Sequence, residues 1–125
     1  MKALGVVDAK IKIRSSIRLP GKVVDRIRAS MEKGKYSKRD RSKWITEAIT
    51  KLVNEDKYWE LIAEEFMDPR ENELIPITLD KKTISLVGEM IDGCDRNIGL
   101  EVDQSDVIRT SINYRLILEG GGLVV

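Results

Sequence analysis

The sequence contains no histidine, a single cysteine and no long apolar run. Without histidine it lacks the commonest general base and the commonest metal ligand. Cys94 alone cannot form an intrachain disulfide or a paired zinc site. The sequence contains no run of about 18 apolar residues, which is the length that spans a membrane, and residues 1–10 lack the composition of a signal peptide. These absences predict a cytoplasmic protein that is not an enzyme and needs no metal or cofactor.

The net charge of +1 conceals two oppositely charged halves. Residues 1–53 contain 15 lysines and arginines against 5 acidic residues, a net charge of +10. Residues 54–125 contain 7 against 16, a net charge of −9. Such asymmetry indicates a polyanionic partner for the first half. Attraction between the two halves is the other interpretation, and the two are compatible.

Residues 10–19 alternate between apolar and polar side chains. Ile13, Ile17 and Leu19 are apolar, whereas Arg14 and Arg18 between them are cationic. A period of two places these sets on opposite faces of a β-strand. The sequence therefore predicts a strand with one apolar face and one cationic face.

The period changes to that of a helix after Pro20, and the whole pattern then recurs. A first amphipathic helix is expected to end at Gly34, and a second to begin with Ser42 as its N-cap. At an offset of sixty positions, residues 77–80 match residues 17–20. After a loop three residues longer, residues 104–108 match residues 41–45. A match at fixed offset predicts two tandem strand–helix–helix units.

The expected organisation is a basic unit at residues 1–54 and an acidic unit at residues 73–125. Residues 55–72 are predicted to form a helical, acidic linker whose helix ends at Pro69. A single strand cannot satisfy its own backbone, so the two strands are expected to pair antiparallel. Pairing within the chain and pairing with a twin strand of a second chain both remain open. The opposite charges of the halves and the reach of the linker favour pairing within the chain.

The first half resembles the ribbon-helix-helix family of DNA-binding proteins, the MetJ/Arc class. The resemblance is carried by the alternation in IRSSIRLP, by the amphipathic helix after it, and by Ser42 before Trp44 and Ile45. It implies a mostly α fold with short β-strands, made of two tandem ribbon-helix-helix units (β-α-α repeated). Tandem copies resemble regulators encoded by archaeal viruses and relaxosome accessory proteins of conjugative plasmids.

The resemblance also implies a set of DNA contacts. Outward side chains of the two strands would contact base edges in the major groove, namely Arg14, Ser16, Arg18, Leu74 and Thr78. Phosphate contacts would come from the start of the first strand, the basic loop and the start of the second helix, namely Lys12, Lys38, Arg39, Arg41, Ser42 and Lys43. The second copy departs from the pattern because Asp103 and Asp106 lie at its phosphate-contact position.

The function expected from this resemblance is a sequence-specific regulator of transcription that binds double-stranded DNA. Two alternatives stay open: an architectural DNA binder of a relaxosome or partition complex, and an antitoxin-type protein-interaction module. Self-association on DNA is also left open. No membrane or small-molecule partner is expected, and for a viral protein the compartment would be the cytoplasm of the host cell.

Overall fold

The computed structural model describes residues 12–64 and 72–121, and these are mostly helical. Its first elements are β1 (Lys12–Pro20), α1 (Gly21–Lys33), a 3-10 turn (Lys38–Asp40), α2 (Arg41–Val53) and α3 (Tyr58–Glu64). The later elements are β2 (Asn72–Asp80), α4 (Lys81–Ile98), α5 (Gln104–Leu116) and a π-helical turn (Ile117–Gly121). None of the helices in the described ranges combines the length and the apolar character that crossing a membrane requires.

β1 and β2 pair antiparallel within the chain and form a two-stranded ribbon. The register joins Lys12 to Asp80 at one end and Pro20 to Asn72 at the other. The inner face of the ribbon carries five buried aliphatic side chains, whereas Ile13 and Ser15 at the start of β1 are exposed. The buried ones are Ile17, Leu19, Ile75, Ile77 and Leu79. These side chains cover the helices, and the burial of apolar surface therefore holds the ribbon against the rest of the molecule.

The expectation of two tandem strand–helix–helix units is wrong. The described residues contain one two-stranded sheet, and each half of the chain contributes one of its strands. The buried side chains of both halves likewise belong to one hydrophobic cluster. The physical reason is that the free edge and apolar face of each strand are satisfied only by the other half.

Helices α2 and α5 pack against each other beneath the ribbon and form the centre of the core. Each also approaches one strand, since α2 contacts β2 and α5 contacts β1. In α5 the buried side chains are spread around the helix because α1, α3 and α4 pack on it as well. The central helix of the second half is thus enclosed by elements from both halves.

Arg115 of α5 is buried among residues of the first half. Its Nη1 donates to the carbonyl oxygen of Trp44 at 2.8 Å and to Glu47 at 3.1 Å. Its Nη2 donates to the hydroxyl of Tyr36 at 2.9 Å, and its Nε donates to Glu119 at 3.0 Å. The guanidinium also lies 4.4 Å from the centre of the Trp44 ring. Because a buried cation needs such partners, this network locks α5 to α2 in one arrangement.

Two tyrosines make further contacts around the core. The Tyr114 hydroxyl donates to Glu55, and this hydrogen bond raises the pKa of Tyr114 to about 12. The Tyr58 hydroxyl donates to the carbonyl oxygen of Glu89 at 3.4 Å. Gly93 lies under the same ring, so closely that a Cβ there would be 1.9 Å from the Tyr58 hydroxyl oxygen. The absence of a side chain at Gly93 therefore lets α3 dock on α4.

The helix boundaries agree only in part with the sequence-based expectations. Gly34 is the C-cap of α1, as expected. Ser42 is not an N-cap, because α2 begins at Arg41 directly after the 3-10 turn. Ser37 caps that turn instead: its Oγ accepts from the backbone N–H of Arg39, and its own N–H donates to Asp40. Residues 10–11 of the alternating stretch and the expected end of the linker helix at Pro69 lie outside the described residues.

We predict that Gly93→Ala lowers the free energy of unfolding by about 1–3 kcal/mol, because the new Cβ overlaps the buried Tyr58 ring. Gly88→Ala in the same helix is the control, since a Cβ there meets no atom within 4 Å. It should raise the free energy of unfolding by about 0.5–1 kcal/mol through helix propensity. Urea unfolding measures both values. Equal effects of the two substitutions would contradict the described packing of α3 on α4.

Candidate nucleic-acid interface

The outer face of the ribbon carries the side chains that were expected to contact bases. Arg14, Ser16 and Arg18 are exposed on β1. Leu74 on β2 is 57% exposed, and Thr78 is half-buried. The register places Arg14 opposite Thr78, Ser16 opposite Pro76 and Arg18 opposite Leu74. The structure thus brings all five expected residues onto one surface, which we call the ribbon face and which also includes Pro76.

The start of α2 lies against the free edge of β2. The backbone N–H of Thr78 donates to the hydroxyl of Ser42 at 2.9 Å. Nη2 of Arg41 lies 3.5 Å from the carbonyl oxygen of Pro76. The Nε of Arg41 is buried, and it has no hydrogen-bond partner among residues 12–64 and 72–121. These contacts fix the start of α2 beside the ribbon face and leave the Arg41 guanidinium with unused capacity to donate.

Three further cations surround that position. Lys38, Arg39 and Lys43 are exposed, and together with Arg41 they form what we call the cationic flank. Lys38 and Arg39 belong to the 3-10 turn that Ser37 caps, so the backbone holds them close to the helix start. Of the six expected phosphate contacts, Arg41 and Ser42 thus contact β2 directly, and Lys38, Arg39 and Lys43 flank them in the chain around the start of α2.

Lys12, the sixth expected phosphate contact, lies at the end of the ribbon opposite Asp80. Asp80 is the N-cap of α4, and its Oδ1 accepts from the backbone N–H of Thr83 at 2.8 Å. Hydrogen bonds from the side chain and the backbone of Thr83 lower the pKa of the Asp80 carboxyl, and the charges of Lys12 and Lys82 act in the same direction. Lys12 is thus separate from the cationic flank and lies beside a carboxylate.

The start of α5 lies against the free edge of β1, where the sequence alone predicts no contact. Nε of Arg109 donates to the carbonyl oxygen of Arg18 at 3.1 Å, and its Nη1 pairs with Asp106 at 3.3 Å. Arg109 was missed because its sequence neighbours do not show that a strand edge faces it. Its one local signal is the three-residue spacing from Asp106, which suits an ion pair on a helix.

The acidic residues at the start of α5 have a structural role. Asp103 is the N-cap, and its side chain accepts from the backbone N–H of Asp106 at 2.9 Å. The side chain of Asp106 in turn accepts from the N–H of Asp103 at 3.0 Å. Both carboxylates thus satisfy the amides that a helix start would otherwise offer to an anion. We call Asp103, Asp106 and the exposed Glu101 the acidic flank.

No protein-family model, curated protein sequence or solved structure matches this chain. The assignment of the surface therefore depends on its own geometry: a polar ribbon face with two arginines, bordered by a cationic flank at the β2 edge and an acidic flank at the β1 edge.

We predict that Asp80→Ala lowers the free energy of unfolding by about 1 kcal/mol at pH 7, because α4 loses its N-cap. Since folding lowers the pKa of Asp80, the charge of this carboxylate stabilises the protein above the ordinary aspartate pKa of about 4. That contribution should disappear as the pH falls through the folded-state pKa. Asp80→Asn keeps a capping side chain without a titrating group, so its difference from the parent should shrink between pH 7 and pH 3. A pH-independent difference in urea unfolding would contradict this role of Asp80.

Proposed function

We propose that this protein binds double-stranded DNA sequence-specifically, by inserting the β1–β2 ribbon into the major groove, and that it regulates transcription. The observation that carries the proposal is the ribbon face itself. Arg14 and Arg18 project from one strand of an exposed two-stranded ribbon whose opposite face is buried from Ile17 to Leu19 and from Ile75 to Leu79. A buried inner face lets apolar packing hold the ribbon while its outer face remains available to a ligand.

The dimensions and chemistry of the ribbon face suit the major groove of B-DNA. That groove admits a two-stranded ribbon and presents a distinct pattern of donors and acceptors for each base pair. Arginine forms a bidentate pair with the O6 and N7 atoms of guanine, and serine can pair with several bases. Arg14 and Arg18 would therefore contact guanines, and Ser16 would contact a base between them.

The cationic flank would supply contacts to the DNA backbone. Arg41 is held at the carbonyl of Pro76, next to the ribbon face, and its Nε has no partner among the described residues. A phosphate beside the ribbon would accept hydrogen bonds from the accessible part of this half-buried guanidinium, and Lys38, Arg39 and Lys43 would add charge around it. The sequence resemblance of the first half to ribbon-helix-helix proteins supports the same use of this surface.

We predict that Arg14→Ala and Arg18→Ala each weaken binding to a selected DNA site by about 1–3 kcal/mol, because each loses a guanine contact. The site is first selected from random double-stranded DNA with the full chain. Arg96→Ala removes an exposed arginine on α4, and it serves as the control. Fluorescence anisotropy titration gives the affinities, and circular dichroism checks the fold. If both ribbon variants bind like the Arg96 variant, the ribbon does not read bases.

Replacing the four cations of the cationic flank by glutamine should weaken binding on all DNA sequences alike, because phosphates carry no base identity. The slope of log K against log salt should fall by about one unit for each lost contact. The control replaces four exposed cations elsewhere, Lys33, Lys51, Lys57 and Arg96, and thus changes the net charge equally. If the two quadruple variants show the same slope, the flank makes no specific phosphate contact.

A further inference from the structure

The ribbon has an approximate twofold axis through its centre, but its side chains do not obey that symmetry. Ser16 and Pro76, which are sixty positions apart in the sequence, face each other at the middle of the ribbon. A half-turn about that point exchanges Arg14 with Leu74 and Arg18 with Thr78. Each exchange replaces one kind of chemistry by another: a cation by an aliphatic group, a cation by a hydroxyl and, at the centre, serine by proline.

The two flanks break the symmetry in the same way. The Ser42 hydroxyl accepts from the backbone N–H of Thr78 at the edge of β2, and Arg109 donates to the carbonyl oxygen of Arg18 at the edge of β1. The half-turn relates Thr78 to Arg18. The starts of α2 and α5 therefore approach the ribbon at equivalent places. At those places Lys43 of the cationic flank corresponds to Asp106 of the acidic flank. One flank attracts a phosphate and the other repels it.

We infer that the protein reads a non-palindromic DNA site in one fixed orientation, and that it contacts DNA phosphates on the β2 side of the ribbon. This inference rests on the proposed function. A palindromic site mirrors the symmetry of the protein bound to it. This ribbon has different side chains at the symmetry-related positions of its outer face, and its two flanks carry opposite charges. A palindromic site would therefore not match it.

The register specifies the form of the site. Arg14 and Arg18 are four residues apart on one strand, which is about 13 Å at strand spacing and spans about three base-pair steps along the inclined groove. We therefore expect two guanines at about that separation. The exposed Leu74 lies opposite Arg18 and can contact a thymine methyl group next to the guanine that Arg18 contacts. No aliphatic side chain of the ribbon face lies opposite Arg14, whose partner is Thr78.

The test begins with selection of sites from random double-stranded DNA by the full chain, followed by phosphate-ethylation interference on the selected site. We expect an asymmetric consensus with two guanines, and interference concentrated on one side of the bound groove. Leu74→Ala should remove the preference for thymine and retain both guanines. Leu74→Arg places a cation at the position related to Arg14 by the half-turn, and it should create a new guanine preference of about fivefold or more.

The failures of the two proposals can be distinguished. If the chain selects no DNA site, the proposed function itself is wrong. If it selects an inverted repeat, or if ethylation interferes equally on both flanks, the DNA-binding function stands and the asymmetric reading is wrong. If the consensus stays unchanged in both Leu74 variants, Leu74 contacts no base, and the form of the site that the register predicts is wrong.

Discussion

The pairing of β1 with β2 is the interaction on which the rest of the structure depends. Each half of the chain supplies a single strand, and a single strand leaves its backbone N–H and C=O groups unpaired and its apolar face uncovered. Antiparallel pairing satisfies the inner edges of both strands at once and joins their apolar faces into the cover of one core. The same pairing sets the crossed arrangement below the ribbon, in which α2 approaches β2 and α5 approaches β1.

Arg115 adds a polar constraint to this apolar assembly. Aliphatic packing tolerates small displacements of one helix along another, because it has little directionality. A buried guanidinium does not tolerate such displacements, because its N–H groups point in fixed directions and stay unsatisfied unless acceptors lie there. Trp44 and Glu47 on α2 and Tyr36 before it provide those acceptors. The resulting fixed alignment of α2 and α5 also fixes the two flanks relative to the ribbon, because each flank surrounds the start of one of these helices.

The sequence predicted individual elements better than their assembly. Strict alternation identified the outward phase of Arg14 and Arg18, and the internal match placed equivalent helix starts at Arg41 and Gln104. The division into two units failed because an apolar stripe shows that a face is buried but not which segment covers it. Ser42 was misassigned although the Ser37–Asp40 spacing of a capping box was present. Arg109 and Arg115 were not foreseen, because a cation on a helix indicates solvent exposure until its tertiary neighbours are known.

A ribbon formed within one chain has a consequence for how the protein would respond to its own abundance. A ribbon assembled from two chains exists only after they associate, so below the dissociation constant of that dimer the active species falls with the square of the chain concentration. Here the ribbon is complete in every folded molecule. Under the proposed function, occupancy of a DNA site would follow copy number linearly, without a threshold, down to a few molecules per cell.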